Sequence, residues 1–318
     1  MKITVLDGFC LNPGDLSWEG FEQLGDVTVY ERTSPSELIE RAKDSDVLIT
    51  NKTVLNAESI SKLPKLKYIG VIATGYNVVD TEAAAKNGVA VTNIPAYSTM
   101  SVAQHVFALL LAVTDRPEHY ALEVKEGKWT QIRDFCFWNT PLVELAGKKF
   151  GIIGMGNIGN AVSKIALAFG MEVLAYTSKD ESRLPVEVTK VSLEELWRNA
   201  DIISLHCPLT PSTKEIINRE TISQMKNGVI LINTGRGPLI NEKDVANALE
   251  SGKIGAFCAD VLSHEPPTAD NPLLHSPNTY ITPHIAWATK EARTRLMEIA
   301  VSNLKDFIAG TPVNVVNL

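Results

Sequence analysis

The sequence predicts an α/β protein of two doubly wound parallel-sheet domains. Three observations carry that prediction. Short aliphatic and β-branched runs alternate with helically spaced segments over most of the chain. The runs are apolar throughout, as strands covered by helices on both faces must be. One long apolar helix near residue 98 interrupts the alternation, and 318 residues are enough for two cores.

The formal charge of −7 opposes bulk attraction to nucleic acid or an anionic membrane, so the expected ligand is small. No window approaches the ~18 apolar residues of a membrane span. The start MKITVLDG runs straight into a strand with no signal-type apolar region. Cys10, Cys136, Cys207 and Cys258 show no C-x-x-C spacing, which fits reduced thiols in a cytoplasmic protein.

In chain order, strands are predicted at 3–6, 27–31, 47–50, 68–73 and 89–92, with helices at 35–43 and 80–87. Pro35 suits a first helical turn, and Gly88 a helix end. The turn Thr74-Gly75-Tyr76-Asn77 follows a strand, where open parallel sheets place ligands, although it can equally be a turn and nothing more. Residues 98–114 (STMSVAQHVFALLLAVT) read as a buried helix bridging two domains. His105 within it reads as a packed or interface residue, because no second metal-type side chain stands at ligand spacing. Trp129, Phe135, Phe137 and Trp138 fall in a segment without periodicity, which marks an interface or a pocket wall.

Residues 149–180 form the central unit: an apolar strand, the turn Gly154-Met155-Gly156-Asn157-Ile158-Gly159, a helix read as 160–169, and a strand at 172–176. The turn fits G-x-G-x-x-G in the strand-turn-helix context the motif needs. The first glycine allows the turn, the second admits a pyrophosphate, and the third lets helix pack on strand. A glycine-rich turn in an ordinary parallel sheet is the plainer alternative. Strands at 201–207, 229–233, 255–261 and 280–282 follow, with helices at 193–198, 221–225, 242–250 and 289–309 and a tail that packs back on the first domain.

Three loops just beyond strands hold charged groups. Arg236 stands between Gly235 and Gly237, and its planar fork suits a carboxylate. Asp260 ends a strand and Glu265 precedes two prolines. His284 follows a strand and Pro283. Taken singly, each reads as an ordinary polar loop residue. Together, on the edge that carries the glycine turn, Arg236 can bind a carboxylate while Glu265 stabilises the imidazolium of His284 for proton donation. That is machinery for reducing a 2-oxo acid.

The motifs GIIGMGNIG, DIISLHCPLT, INTGRG, ADVLSHEPP and TPHIA, in this order, resemble those of the D-isomer-specific 2-hydroxyacid dehydrogenases over nearly the whole chain. The resemblance implies a substrate domain at 1–97 and 288–318, flavodoxin-like in pattern, and a Rossmann-like dinucleotide domain at 98–287. It puts the family's catalytic residues on Arg236, Glu265 and His284, and its carboxamide-binding aspartate on Asp260. It implies that amides of Thr74, Gly75 and Tyr76 help hold the substrate carboxylate beside Arg236 and His284. It gives Gly154, Gly156, Asn157, Ile158, Gly159, His206, Cys207, Pro208, Thr213, Thr234, Gly235 and His284 to the cofactor, and it implies a homodimer.

The string LDGFCLNPGDLSWEGFEQLG is similar to the glycerate dehydrogenase (hydroxypyruvate reductase) branch of that family. The expected function is therefore interconversion of hydroxypyruvate and D-glycerate with NAD. The alternatives are a glyoxylate or D-lactate-type reductase, and a non-catalytic NAD(H)-sensing scaffold. One departure matters: where the family carries an NAD-selecting acid, this chain has Thr177-Ser178-Lys179, which leaves NADP open as a cofactor.

Overall fold

The computed structural model describes residues 1–317. Two compact units emerge: Met1–Ser98 with Ala288–Leu318, and Thr99–Trp287.

The first unit holds β1 (Lys2–Val5), β2 (Asp26–Val29), β3 (Val47–Thr50), β4 (Tyr68–Val71) and β5 (Ala90–Thr92). All pair in parallel, in the order β2-β1-β3-β4-β5, which is the flavodoxin-like winding. β3 and β4 are buried at every residue because helices cover both faces. The helix Lys290–Ile308 belongs to this unit, where its Phe307 lies 4.9 Å from the Tyr68 ring and its Arg293 forks onto Asp15 at 2.6 and 2.7 Å. The tail then returns to the sheet, with Val316 N–H donating to Val91 O at 2.9 Å.

The second unit holds β6 (Lys149–Ile153), β7 (Glu172–Tyr176), β8 (Val188–Lys190), β9 (Ile202–Leu205), β10 (Val229–Asn233), β11 (Ile254–Ala259) and β12 (Thr279–Ile281). Its parallel sheet runs β12-β11-β10-β9-β6-β7-β8, so the winding reverses between β6 and β9. Ligands of such sheets bind at that reversal, outside the carboxyl ends of the strands. The helix Thr99–Thr114 packs on the helix Asn157–Ala168, and Phe107 stacks at 5.8 Å on Phe150 and 5.4 Å on Phe169. Among the described residues no helix is long and apolar enough to cross a membrane.

Several boundaries differ from expectation for identifiable reasons. Pro35 opens a turn, and the helix begins only at Leu38. The helix after the glycine turn starts at Asn157 rather than 160, which puts Gly159 inside its first turn. The segment expected at 221–225 starts earlier, at Arg219, because Asn218 accepts from the Glu220 and Thr221 amides as its cap. The helices Ala57–Ser61 and Pro117–Lys125 and the edge strand β8 were not anticipated. Their signals were an Asn56 cap, a proline at a helix start, and the alternation in VEVTKV.

Candidate active site

Because every strand of the second unit runs the same way, the residues that follow them share one edge of the sheet. The glycine turn follows β6, Thr177 follows β7, His206 follows β9, Arg236 follows β10, Asp260 and Glu265 follow β11, and His284 follows β12. All but the turn residues Thr74, Gly75 and Tyr76, which belong to the other unit, are thus brought to the edge where the winding reverses.

The glycine turn is shaped as a phosphate cradle. Gly154 sits at φ +101°, and a Cβ there would lie 2.6 Å from the Cys207 nitrogen. A Cβ on Gly159 would come within 2.1 Å of the Gly154 carbonyl oxygen, so strand and helix touch backbone to backbone. A Cβ on Gly156 would meet nothing within 4 Å. Gly156 caps the helix with no side chain, which leaves the first-turn amides of Asn157, Ile158 and Gly159 to an incoming anion. The Thr234 hydroxyl, on a residue only 9% exposed, has no partner among the described residues, an orphan that a bound cofactor can satisfy. These features fit a dinucleotide.

His206 follows β9 with its Nε2 2.8 Å from Ser204 Oγ, and desolvation holds the imidazole down to about 4, so it is neutral at physiological pH. Thr213 turns its hydroxyl inward, donating to Pro208 O at 2.6 Å and accepting from Thr210 N–H at 2.8 Å. Its contribution is the shape of the His206–Cys207–Pro208 loop. After β7, Lys179 N–H donates to Thr177 Oγ1 at 3.2 Å, and the ammonium of Lys190, from β8, donates to Lys179 O at 2.6 Å. Sequence reasoning had found Lys179 but not Lys190, whose approach depends on β8 pairing with β7.

Arg236 is exposed; among the described residues its side chain makes one hydrogen bond, from Nη1 to Gly235 O at 2.8 Å, and no ion pair. The Asn233 side chain staples its loop, donating to Arg236 O at 2.9 Å and accepting from Gly235 N–H at 3.1 Å. Gly237 is obligatory for packing, since a Cβ there would sit 2.0 Å from the Leu262 carbonyl carbon. That contact seats the Arg236 loop against the loop that carries Glu265.

Glu265 has both oxygens engaged: Oε1 accepts from Leu262 N–H at 3.1 Å and Oε2 lies 2.7 Å from His284 Nδ1. The ring is therefore tied at Nδ1, and Nε2 is the nitrogen left for substrate. His284 itself lies at φ +55°, the left-handed region that side chains adopt at a cost of about 1 kcal/mol or more. The Glu265 and His284 side chains are about one-third exposed, open enough to meet a ligand.

Asp260 is 1% exposed. Its Oδ1 accepts from Thr282 Oγ1 at 2.6 Å and Ile285 N–H at 2.8 Å, and its Oδ2 accepts from Ala286 N–H at 2.7 Å. The second Oδ2 lone pair is the acceptor capacity left for a carboxamide.

In the first unit, the amides of Thr74, Gly75 and Tyr76 donate to no protein acceptor among the described residues, while the Thr74 hydroxyl ties the turn to Ile94 O at 2.9 Å. The turn is fixed and its donors are open.

Comparison with known proteins shows the family. Residues 107–286 match the pattern of the D-isomer specific 2-hydroxyacid dehydrogenase, NAD binding domain. A hydroxypyruvate reductase of Blautia hydrogenotrophica is 53% identical, with both chains covered in full. The solved D-lactate dehydrogenase of Aquifex aeolicus, complexed with NAD and lactic acid, superposes at TM-score 0.83 with 31% identity, over 100% of this chain and 99% of that one. An acyclic imino acid reductase in complex with NADPH and D-Arg superposes at 0.84 with 33% identity, over 99% of this chain and 100% of the other. The chain belongs to the D-isomer specific 2-hydroxyacid dehydrogenase family.

Proposed function

We propose that this enzyme reduces hydroxypyruvate to D-glycerate, with NADH or NADPH as cofactor. The observation that carries the reading is the Glu265–His284 pair, 2.7 Å apart, on the same sheet edge as an arginine with no ion-pair partner among the described residues and the open glycine cradle. The bound nicotinamide supplies the hydride. Arg236 holds the substrate carboxylate by its fork, and the amides of Thr74, Gly75 and Tyr76 assist. His284 Nε2–H donates its proton to the carbonyl oxygen as that oxygen gains charge, and Glu265 stabilises the imidazolium before the transfer. The balance is one 2-oxo acid, one reduced nucleotide and one proton giving one 2-hydroxy acid and the oxidised nucleotide. The 53% identity to a hydroxypyruvate reductase supports the choice of acid.

A second copy of the chain is the proposed partner, because Phe135, Trp138 and Trp129 are 89%, 67% and 51% exposed and such aromatics concentrate at interfaces. Four unpaired cysteines fit a cytoplasmic setting. Cofactor oxidation at 340 nm with hydroxypyruvate, glyoxylate and pyruvate tests the assignment. Highest kcat/KM on hydroxypyruvate is expected. A higher value on glyoxylate or pyruvate replaces the substrate, and tight nucleotide binding with no turnover of any acid overturns the enzyme reading.

A further inference from the structure

His105 lies in the middle of the helix Thr99–Thr114, with its side chain 19% exposed. Its Nε2 is 2.9 Å from Thr282 Oγ1 and 3.7 Å from Asp260 Oδ1. The Thr282 hydroxyl has one proton to give, and besides the His105 ring at 2.9 Å two acceptors are in range: Asp260 Oδ1 at 2.6 Å and Ala259 O at 3.3 Å. The shorter bond to the charged acceptor takes the proton. His105 Nε2 therefore faces an oxygen lone pair, so it must carry a hydrogen and donate. The result is a directional chain: His105 N–H to Thr282 O–H to the Asp260 carboxylate.

That carboxylate also receives the amides of Ile285 and Ala286, the residues directly after His284. Before His284, its own N–H donates to Thr282 O at 2.9 Å across Pro283. The strained left-handed residue is thus held on both sides, by Thr282 and by the Asp260 bonds. A donor to Thr282 polarises its hydroxyl and strengthens the bond to Asp260, as linked hydrogen bonds do.

We propose that His105 is a positioning residue for the reaction: through Thr282 and Asp260 it fixes the loop that aims His284 at the substrate. The proposal rests on the reading in which His284 protonates the substrate, but the clamp itself can be measured without turnover. The experiment uses the full chain and four variants: His105→Leu and Thr282→Val, which remove a link at similar volume, and His105→Gln and Thr282→Ser, which keep a donor and a hydroxyl. Hydrogen exchange of the Ile285 and Ala286 amides is read beside NADH affinity, kcat and KM for hydroxypyruvate.

In His105→Leu and Thr282→Val, exchange of those two amides is expected to quicken at least tenfold. The kcat should fall at least tenfold while the Kd for NADH stays within about threefold. His105→Gln and Thr282→Ser should recover most of both effects. The double variant His105→Leu/Thr282→Val should be no slower than Thr282→Val, since the two act in one chain. Unchanged exchange and kcat in His105→Leu, or additive losses in the double variant, overturn the proposal. If the unmodified protein turns over no 2-oxo acid, the function fails separately, and the exchange rates alone decide whether the clamp exists. A Leu variant that unfolds leaves Thr282→Val against Thr282→Ser to make the same decision.

Discussion

Each unit buries one aspartate just beyond a strand, and the two are held alike but placed differently. Asp7, 4% exposed after β1, accepts from the amides of Asn51, Lys52 and Thr53 at 2.8, 2.6 and 2.8 Å. Asp260, 1% exposed after β11, accepts from Thr282 Oγ1 and the amides of Ile285 and Ala286. Both are satisfied by donors of a loop on a neighbouring strand, which is how a buried carboxylate avoids its desolvation penalty. The loop bound by Asp7 has no residue at positive φ, whereas the loop bound by Asp260 carries His284 at +55°. One device therefore secures a loop of ordinary backbone, and the other a loop with a left-handed histidine, which under the proposed mechanism is the reacting group.

The sharpest way to separate the two loops is to remove the group that only one of them carries. His284→Ala is expected to cut kcat by the ~10²–10⁴ of lost acid–base catalysis while nucleotide affinity holds, and near-normal turnover would end the mechanism. The next test compares the clamps. Asp7→Asn and Asp260→Asn should each cost about 2–4 kcal/mol in urea unfolding, because each turns an amide group toward buried donors. Among folded molecules, Asp7→Asn should keep kcat within about threefold, whereas Asp260→Asn should lose more than about tenfold. Equal kinetic losses in both would collapse the distinction. A smaller effect is expected at Arg236, whose loop is stapled by the neutral Asn233 amide. Arg236→Lys keeps the charge and loses the fork, so KM for hydroxypyruvate should rise at least about tenfold with stability unchanged.

Much of this was legible in the sequence because it rests on local backbone demands. Gly154 and Gly159 announce a turn where a side chain would clash with backbone, Gly156 leaves its mouth open, and Arg236, Glu265 and His284 each stand just past an apolar run that could only be a buried strand. The pairing of Glu265 with His284 followed from both lying on one edge. What stayed hidden spans long separations. His105 bonds to a hydroxyl 177 residues away, and Asp260 to amides 25 and 26 residues on, and neither leaves a periodic trace. Reading His105 as packed was correct in position but missed the bond that gives the packing a direction. Lys190 was missed for the same reason, because a short edge strand carries it to the Thr177 loop.

A third strand end completes the comparison by lacking the carboxylate. β7 leads into Thr177, where a nucleotide-binding sheet selective for NAD would offer an acid to the ribose hydroxyls and repel a 2′-phosphate. Thr177 is half-buried, and its hydroxyl accepts from the Lys179 amide, while the Lys190 ammonium rests on the Lys179 carbonyl. Two lysines near that loop and no acid at position 177, where the strand ends, should let the enzyme use NADPH. Thr177→Asp is expected to raise the ratio of kcat/KM for NADH over NADPH by at least about tenfold, or ~1.4 kcal/mol, a modest figure for charge repulsion at a partly solvated site. Lys179→Ala should move the ratio the same way by a few-fold, and Lys190→Ala should as well if its ammonium leaves the carbonyl for the phosphate. Unlike Asp7 and Asp260, an aspartate at position 177 would have few backbone donors to satisfy, so its effect should appear in selectivity and not in stability. An unmodified protein that prefers NADH by a thousandfold or more would show that the phosphate is rejected elsewhere, and the loop would then have no part in choosing the cofactor.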